Sequence, residues 1–348
     1  MKTLKLGRKT KVAIISNYER AYAPYIEFYA DLCKNNDVEY IVINKEESCS
    51  KKDDQVAFVL NEDTMKFGSI RRTLQWYRFV LSKIKKHHCN KFVVLPTRTA
   101  IVLFPFLLFL KNKFIFDIRD YTKEHNKIYK KLEDILIKKS YMTTISSPGF
   151  REWLLPSEKI HHIHNMPYEE VTGKNAKDIK TEQVVIGFLG CMYKNYQEYN
   201  ENMLKKLREN PKYKFIYYGY IPTEFIEFCS REMIQNAIFE GKYRNEEKAK
   251  LYKRVDIINA VYGGDSVTVL PNRLYDALLY KKPIIAMKGT FLASLVEKYK
   301  IGIAIDVEKE NLAEKIEVFL SAYTPEEHSK NCERMLQEIK KEQGETIN

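Results

Sequence analysis

Short apolar runs rich in Val, Ile, Phe and Tyr recur along the chain, with longer stretches of helical spacing between them. In the first half they are VAIIS (12–16), EYIVIN (39–44), VAFVL (56–60), FVVLP (92–96), KFIFDI (113–118), YMTTIS (141–146) and KIHHIHN (159–165). Runs this continuously apolar predict strands covered on both faces, and strands separated by helices predict a parallel sheet. The alternation lapses between Met166 and Thr181, which reads as a linker. A second series follows: VVIGFLG (184–190), KFIYYG (214–219), AIFEG (237–241), VDIINAV (255–261), PIIAMK (283–288) and IGIAID (301–306). The pattern predicts an α/β protein of two Rossmann-like domains facing across a cleft, with ligands at the carboxyl ends of the strands. The expected boundaries are 1–170, 171–325, and a C-terminal helix and tail over 326–348 that crosses back to the N-terminal domain. A length of 348 residues agrees, being more than one core usually serves.

Two segments add something to this alternation. Residues 71–91, RRTLQWYRFVLSKIKKHHCNK, set Leu74, Tyr77, Phe79, Val80, Leu81 and Ile84 among Arg71, Arg72, Arg78, Lys83, Lys85 and Lys86. A basic amphipathic helix of this kind suits an anionic membrane surface, and equally the outer layer of a Rossmann sheet. The run AIVLFPFLLFL (100–110) is about half the length that spans a bilayer, so it is expected to be buried or interfacial.

Charge narrows the partners. Lys and Arg number 58 against 46 Asp and Glu, and the net charge of +12 favours nucleotides, nucleic acid or acidic lipid. Cys33, Cys49, Cys89, Cys191, Cys229 and Cys332 form no C-x-x-C pair, which argues against a zinc or disulfide framework and for reduced thiols. The apolar run after the basic N-terminus is too short for a signal peptide, so a cytoplasmic place is expected, peripheral on the inner face of the plasma membrane if the basic helix binds lipid.

The segment richest in chemistry is LPNRLYDALLYKKPIIAMKGT (270–290). Pro271 suits the first position of a helix, whose free N–H groups would meet a diphosphate. Arg273 adds a fixed cation in the first turn. Asp276, three residues on and nearly on the same face, can accept hydrogen bonds from a ribose diol. This segment resembles the nucleotide-binding helix of GT-B glycosyltransferases related to family 4, bacterial polysaccharide enzymes with a Pro-Asn-Lys-Leu-Tyr-Glu-Ala-like motif. The resemblance implies that Asp276 binds ribose, that Arg273 lies near the diphosphate, and that Asn272 belongs to the same turn.

The resemblance covers most of the chain. IGFLGCMYKNYQEYNENML (186–204) is similar to the strand, glycine turn and helix of the family's donor domain, which gives Gly190 the close backbone approach and Lys194 the donor phosphates. In FEGKYRNEE (239–247), Tyr243 becomes a candidate to stack on the base. In KRVDIINAVYGGDSVTVLPN (253–272), Tyr262 and the loop Gly263, Gly264, Asp265 and Ser266 lie over the donor sugar. FIFDIRDYTKEH (114–125) resembles the strand and loop facing the reaction centre, with Arg119 to bind phosphate or acceptor and Asp120 to orient a hydroxyl or act as a base. The competing reading of Arg119 and Asp120 is a pair that caps the next helix. Ser146 and Ser147 read as helix caps. His161, His162 and His164 invite a metal; strand alternation puts His162 and His164 on one face, and no acidic or Cys ligands lie nearby in the chain, so no metal site is expected.

Two departures stand out. Typical relatives carry two acids eight positions apart, where this chain has Thr268 and Asp276, and Cys191 replaces the usual basic residue after the strand-end glycine. The expectation is a transferase moving a sugar from a nucleotide diphosphate donor, UDP-sugar favoured, to a glycan or polyprenyl-linked oligosaccharide, with retention. No cofactor, no metal and no nucleic-acid partner are expected. The rivals are a nucleotide-sugar epimerase of the same architecture and a basic nucleic-acid- or membrane-binding protein.

Overall fold

In the computed structural model, residues 10–20, 23, 25–46, 53–59, 68–166, 176–179 and 182–347 are described. The linker expected over 166–181 falls mostly outside them. The chain divides into two compact units, one of residues 1–168 with 342–348, the other of 169–341.

The N-terminal unit holds seven strands: β1 Lys11–Ser16, β2 Glu39–Glu46, β3 Gln55–Val59, β4 Lys91–Leu95, β5 Phe114–Ile118, β6 Met142–Ile145 and β7 Ile160–His162. They pair in parallel in the order β3-β2-β1-β4-β5-β6-β7. Covered on both faces, the central strands have no polar side to show, which is why they read as unbroken apolar runs. Strand order reverses between β1 and β4, and the crevice opposite that reversal is where such sheets bind ligands.

The C-terminal unit repeats the plan with β8 Val184–Cys191, β9 Tyr213–Tyr220, β10 Ala237–Gly241, β11 Ile257–Ala260, β12 Ile284–Met287 and β13 Gly302–Ile305. The order is β10-β9-β8-β11-β12-β13, again all parallel, with its reversal between β8 and β11. All thirteen expected strands are present.

The basic segment forms a helix over Ser69–Lys86, ending before the expected 91 because residues 91–95 are taken by β4. Trp76, Val80 and Ile84 recur at every fourth position and are buried. Trp76 and Phe79 close with Phe58 of the edge strand β3 at ring separations of 5.2–6.0 Å. The helix therefore covers its own sheet, and its exposed side carries Arg71, Leu74, Arg78, Lys85 and Lys86. The apolar run breaks into two short helices, Thr97–Val102 and Phe104–Leu107, because Pro105 lacks the N–H a continuous helix needs. Leu103 and Leu107 anchor it, while Phe109 is 88% exposed. Among the described residues no helix is long and apolar enough to cross a membrane. The last helix, Pro325–Ile347, starts in the C-terminal unit, and its end from Glu342 belongs to the N-terminal unit.

Candidate functional site

In the C-terminal unit the expected residues converge on the strand-order reversal. Gly190 and Gly219, each the last residue but one of its strand, β8 and β9, are paired side by side. Gly190 has φ +138° and Gly219 φ +114°, and a Cβ on Gly219 would stand 2.0 Å from the Gly190 carbonyl oxygen. Only glycines let these two backbones lie so close in this conformation.

Beyond β11 the chain turns through a short 3-10 segment, Gly264–Ser266, tied by Asn195 Nδ2 donating to Ser266 Oγ at 2.8 Å. It then enters the helix Asn272–Tyr280. Pro271 proves to be the residue before the helix rather than its first, and it offers no side-chain cap. The Leu274 N–H turns back to the Pro271 carbonyl at 3.0 Å, which leaves those of Asn272 and Arg273 for a ligand. Asn272, the first helical residue, is exposed.

Arg273 runs back under Gly190. Its guanidinium carbon lies 4.1 Å from the Phe188 ring centroid and 4.5 Å from that of Tyr196, and Nη1 donates to the Leu189 carbonyl at 3.4 Å. A Cβ on Gly190 would stand 3.5 Å from Nη1, so the cation lies directly beside the strand-end glycine. Arg273 is only 5% exposed, its Nε has no hydrogen-bond partner, and no carboxylate pairs with it among the described residues. Burying a guanidinium without an anion costs several kcal/mol on the order-of-magnitude scale for buried ions, of which two aromatic faces return only part.

Asp276, also buried, receives Lys248 Nζ at 3.2 Å on both carboxylate oxygens and the Tyr252 hydroxyl at 2.8 Å. Lys248 and Tyr252 were not singled out from the sequence; they sit on the helix Lys248–Tyr252, more than twenty residues upstream, and carry no motif of their own. Tyr243 is half-buried beside this group. Burial pushes its hydroxyl up to about 12, with Asp276 and Cys191 adding and Arg273 opposing. Tyr243, Cys191, Arg273 and Asp276 are therefore neighbours. Lys194 is exposed and opens the helix Lys194–Leu207, the end where the helix dipole disfavours a cation unless an anion is bound.

Tyr262 is placed otherwise than expected. It is fully buried, its ring 5.4 Å from that of Tyr196, and its hydroxyl donates to the Val269 carbonyl at 2.6 Å. It stands in the wall behind Arg273, its hydroxyl turned to the chain's own backbone.

In the N-terminal unit, Arg119 and Asp120 differ sharply. Arg119 is buried, with Nη2 donating to Asp117 Oδ2 at 2.6 Å, Nη1 donating to Asn165 Oδ1, and the guanidinium over Tyr25 at 4.9 Å. Tyr29 also donates to Asp117 Oδ2 at 2.6 Å. Arg119 is thus held in the interior, and its partner is Asp117 rather than a helix end. Asp120 keeps part of its side chain open to solvent, although protein atoms crowd around its carboxyl. Its carboxyl is raised above the ordinary value by desolvation first, then by Glu124 and Asp117 against the lowering effect of Arg119. Exposed Arg98, at the end of β4, and Tyr18, after β1, face the same strand-end region. Ser147 caps the turn Pro148–Glu152 by accepting from Gly149 N–H at 3.2 Å, whereas Ser146 donates to the Arg119 carbonyl.

The histidines are not as isolated as the sequence suggests. Glu342, from the end of the last helix, lies against both His162 and His164, supplying the acidic neighbour that was expected to be missing.

No protein-family profile matches the chain. A segment of 103 residues is 35% identical to the succinoglycan biosynthesis protein ExoL of Rhizobium meliloti (strain 1021), covering 28% of this chain and 25% of ExoL. The match thus spans about a quarter of that relative. Among solved structures, sucrose-phosphate synthase from Thermosynechococcus elongatus superposes with a TM-score of 0.76 at 11% identity, covering 97% of this chain and 96% of that one. Anabaena Alr3699/HepE in complex with UDP and glucose superposes with a TM-score of 0.72 at 13% identity, covering 97% and 98%. These likenesses establish the fold, two Rossmann-like domains of GT-B type.

Proposed function

We propose that this chain is a glycosyltransferase that takes a sugar from a nucleotide diphosphate donor, UDP-sugar favoured, and adds it to a glycan or lipid-linked glycan during surface polysaccharide assembly. The carrying observation is Arg273, a buried cation that no carboxylate pairs among the described residues, beside Gly190 and in the first turn of an uncapped helix. A diphosphate supplies the missing charge. The naming of ExoL as a succinoglycan biosynthesis protein and the UDP held by HepE point the same way.

On this reading the diphosphate lies against Gly190, Arg273 and the N–H groups of Asn272 and Arg273, with Lys194 reaching it from the exposed side. Asp276 accepts the ribose hydroxyls, so Lys248 and Tyr252, which now occupy its oxygens, hold the carboxylate aimed. Tyr243 provides a flat wall for the base. As the glycosidic bond to phosphate breaks, charge grows on the leaving diphosphate, and Arg273 with the helix N-terminus is fixed where it accumulates. Asp120 is assigned to the acceptor hydroxyl in the N-terminal unit. The family resemblance favours retention at the anomeric carbon.

Calorimetry with UDP, GDP, ADP and CDP tests the reading. One nucleotide should bind at micromolar Kd, and Arg273→Ala and Asp276→Ala should each weaken it about 10- to 100-fold, the worth of a charged hydrogen bond. A folded protein that binds none of the four sinks the proposal. Turnover of a UDP-sugar to an epimer without any acceptor would instead favour the epimerase.

A further inference from the structure

His162 ends β7 and His164 follows two residues later, on the same side of the chain, their rings 3.9 Å apart. Both face Glu342, which lies 178 residues from His164 in sequence. Glu342 Oε2 is 3.0 Å from His164 Nε2 and 3.5 Å from His162 Nδ1, and one ligand atom from each of the three lies within 4.8 Å of the others. The helix end is docked here independently by Thr346 Oγ1 donating to the His162 carbonyl at 3.2 Å.

A single hydrogen bond from His164 to Glu342 does not account for this grouping. It leaves His162, whose side chain is 11% exposed, with neither ring nitrogen hydrogen-bonded among the described residues. An imidazole this little exposed and without a hydrogen bond is costly, and a second ring tilted by 59° beside it needs a reason. We propose that His162, His164 and Glu342 bind a divalent transition-metal ion of the zinc, cobalt or nickel class, which clasps the end of the C-terminal helix to the edge of the N-terminal sheet.

The donor set and spacing suit such an ion. Two imidazoles with one carboxylate select late first-row metals over magnesium or calcium. Ligands bound at about 2.0–2.2 Å stand about 3–4 Å apart, so the existing separations need only small adjustments. Glu342 is 55% exposed on its side chain, which leaves the ion's remaining positions to water. The ion closes a loop of just over half the chain, and its role is structural, apart from the nucleotide.

The test uses the full-length, untagged chain stripped with a chelator, titrated with Zn²⁺ and Co²⁺ against a chromophoric competitor. The expected result is one ion per chain at micromolar Kd or tighter, visible Co²⁺ absorption bands, and a melting temperature several degrees higher with Zn²⁺. His162→Ala and Glu342→Gln should each weaken binding at least 10-fold and remove the melting shift, whereas His161→Ala, on the opposite side of β7, should leave both unchanged. Zn²⁺ uptake equal in the wild type and in the His162→Ala/Glu342→Gln double variant overturns the proposal, as does binding weaker than 100 µM in the wild type. Circular dichroism of each variant separates lost binding from lost folding. Because metal uptake is read without nucleotide or acceptor, this outcome is independent of the transferase reading.

Discussion

Arg273 and Glu133 show opposite answers to the same problem of a buried charge. Arg273 keeps its charge and leaves a place for an anion. Glu133, on the helix Lys127–Lys139, is fully buried with Lys130 Nζ at 3.0 Å on one oxygen, while its Oε1 has no hydrogen-bond partner. Desolvation pushes its carboxyl up from 4.5 to about 7, against the pull of Lys130. The folded chain therefore holds a proton that the unfolded chain releases above about pH 4.5, so stability falls as pH rises from about 4.5 to about 7 and the penalty is complete above that. Glu133→Gln should be close to neutral at pH 4.5 and stabilising at pH 8 by on the order of 2–3 kcal/mol. Urea unfolding at the two pH values checks it; an equal effect at both would show that Glu133 is ionised in the folded state throughout. Charges of this kind were only half legible. Arg273 and Asp276 stand three apart on one helix and could be read directly. The partners Lys248, Tyr252 and Asn165 could not, because long-range pairing leaves no local spacing.

At the scale of elements, glycine placement explains how β8 and β9 end. The Gly190 and Gly219 pair was visible as two strand-end glycines, but their mutual contact depends on register. Gly219→Ala meets both a left-handed φ and the Gly190 carbonyl, so it should destabilise the C-terminal unit by about 3 kcal/mol or more and shift the backbone that faces Arg273. Equilibrium unfolding gives the first number, and nucleotide calorimetry on the folded fraction gives the second. The helix Ser69–Lys86 teaches a different lesson: one amphipathic pattern can serve two surfaces. Its line of Trp76, Val80 and Ile84 covers the sheet, yet Ile70 at 80% and Leu74 at 52% exposure remain outside with Arg78, Lys85 and Lys86, as does Phe109 on the following apolar segment. If this outer face meets anionic lipid, each cation is worth about 1 kcal/mol at low salt. Reversing Arg78, Lys85 and Lys86 to Glu should then reduce sedimentation with phosphatidylglycerol vesicles more than 100-fold, with little change in melting temperature since none of the three is buried. Wild-type protein that stays in the supernatant would leave the face with its sheet-covering role alone.

For the whole molecule, thirteen strands could be read because both sheets are parallel and covered on both sides, so each strand is an apolar run that needs no knowledge of its neighbours. Which side chains meet across distant parts of the chain was hidden. The last helix begins in one unit and finishes in the other, and Glu342 meets His162 and His164 only through the fold. The two units consequently carry different ligands on the readings above: the nucleotide residues Gly190, Lys194, Tyr243, Lys248, Arg273 and Asp276 all belong to 169–341, and the three metal ligands all belong to the other unit. Binding stabilises the structure that forms the site, by RT ln(1 + [L]/Kd), or about 2.7 kcal/mol at a hundredfold excess over Kd. Hydrogen exchange should therefore slow at the ends of β8 and β9, over 243–252 and in the first turn of 272–280 when UDP is added, and the strands β1 to β7 should exchange as before. Zn²⁺ should slow exchange over 160–164 and 339–347 without changing the UDP-protected peptides. A UDP effect confined to the N-terminal unit would move the nucleotide to the region of Arg98 and Asp120, and the assignment of Arg273 as its counter-charge would fall.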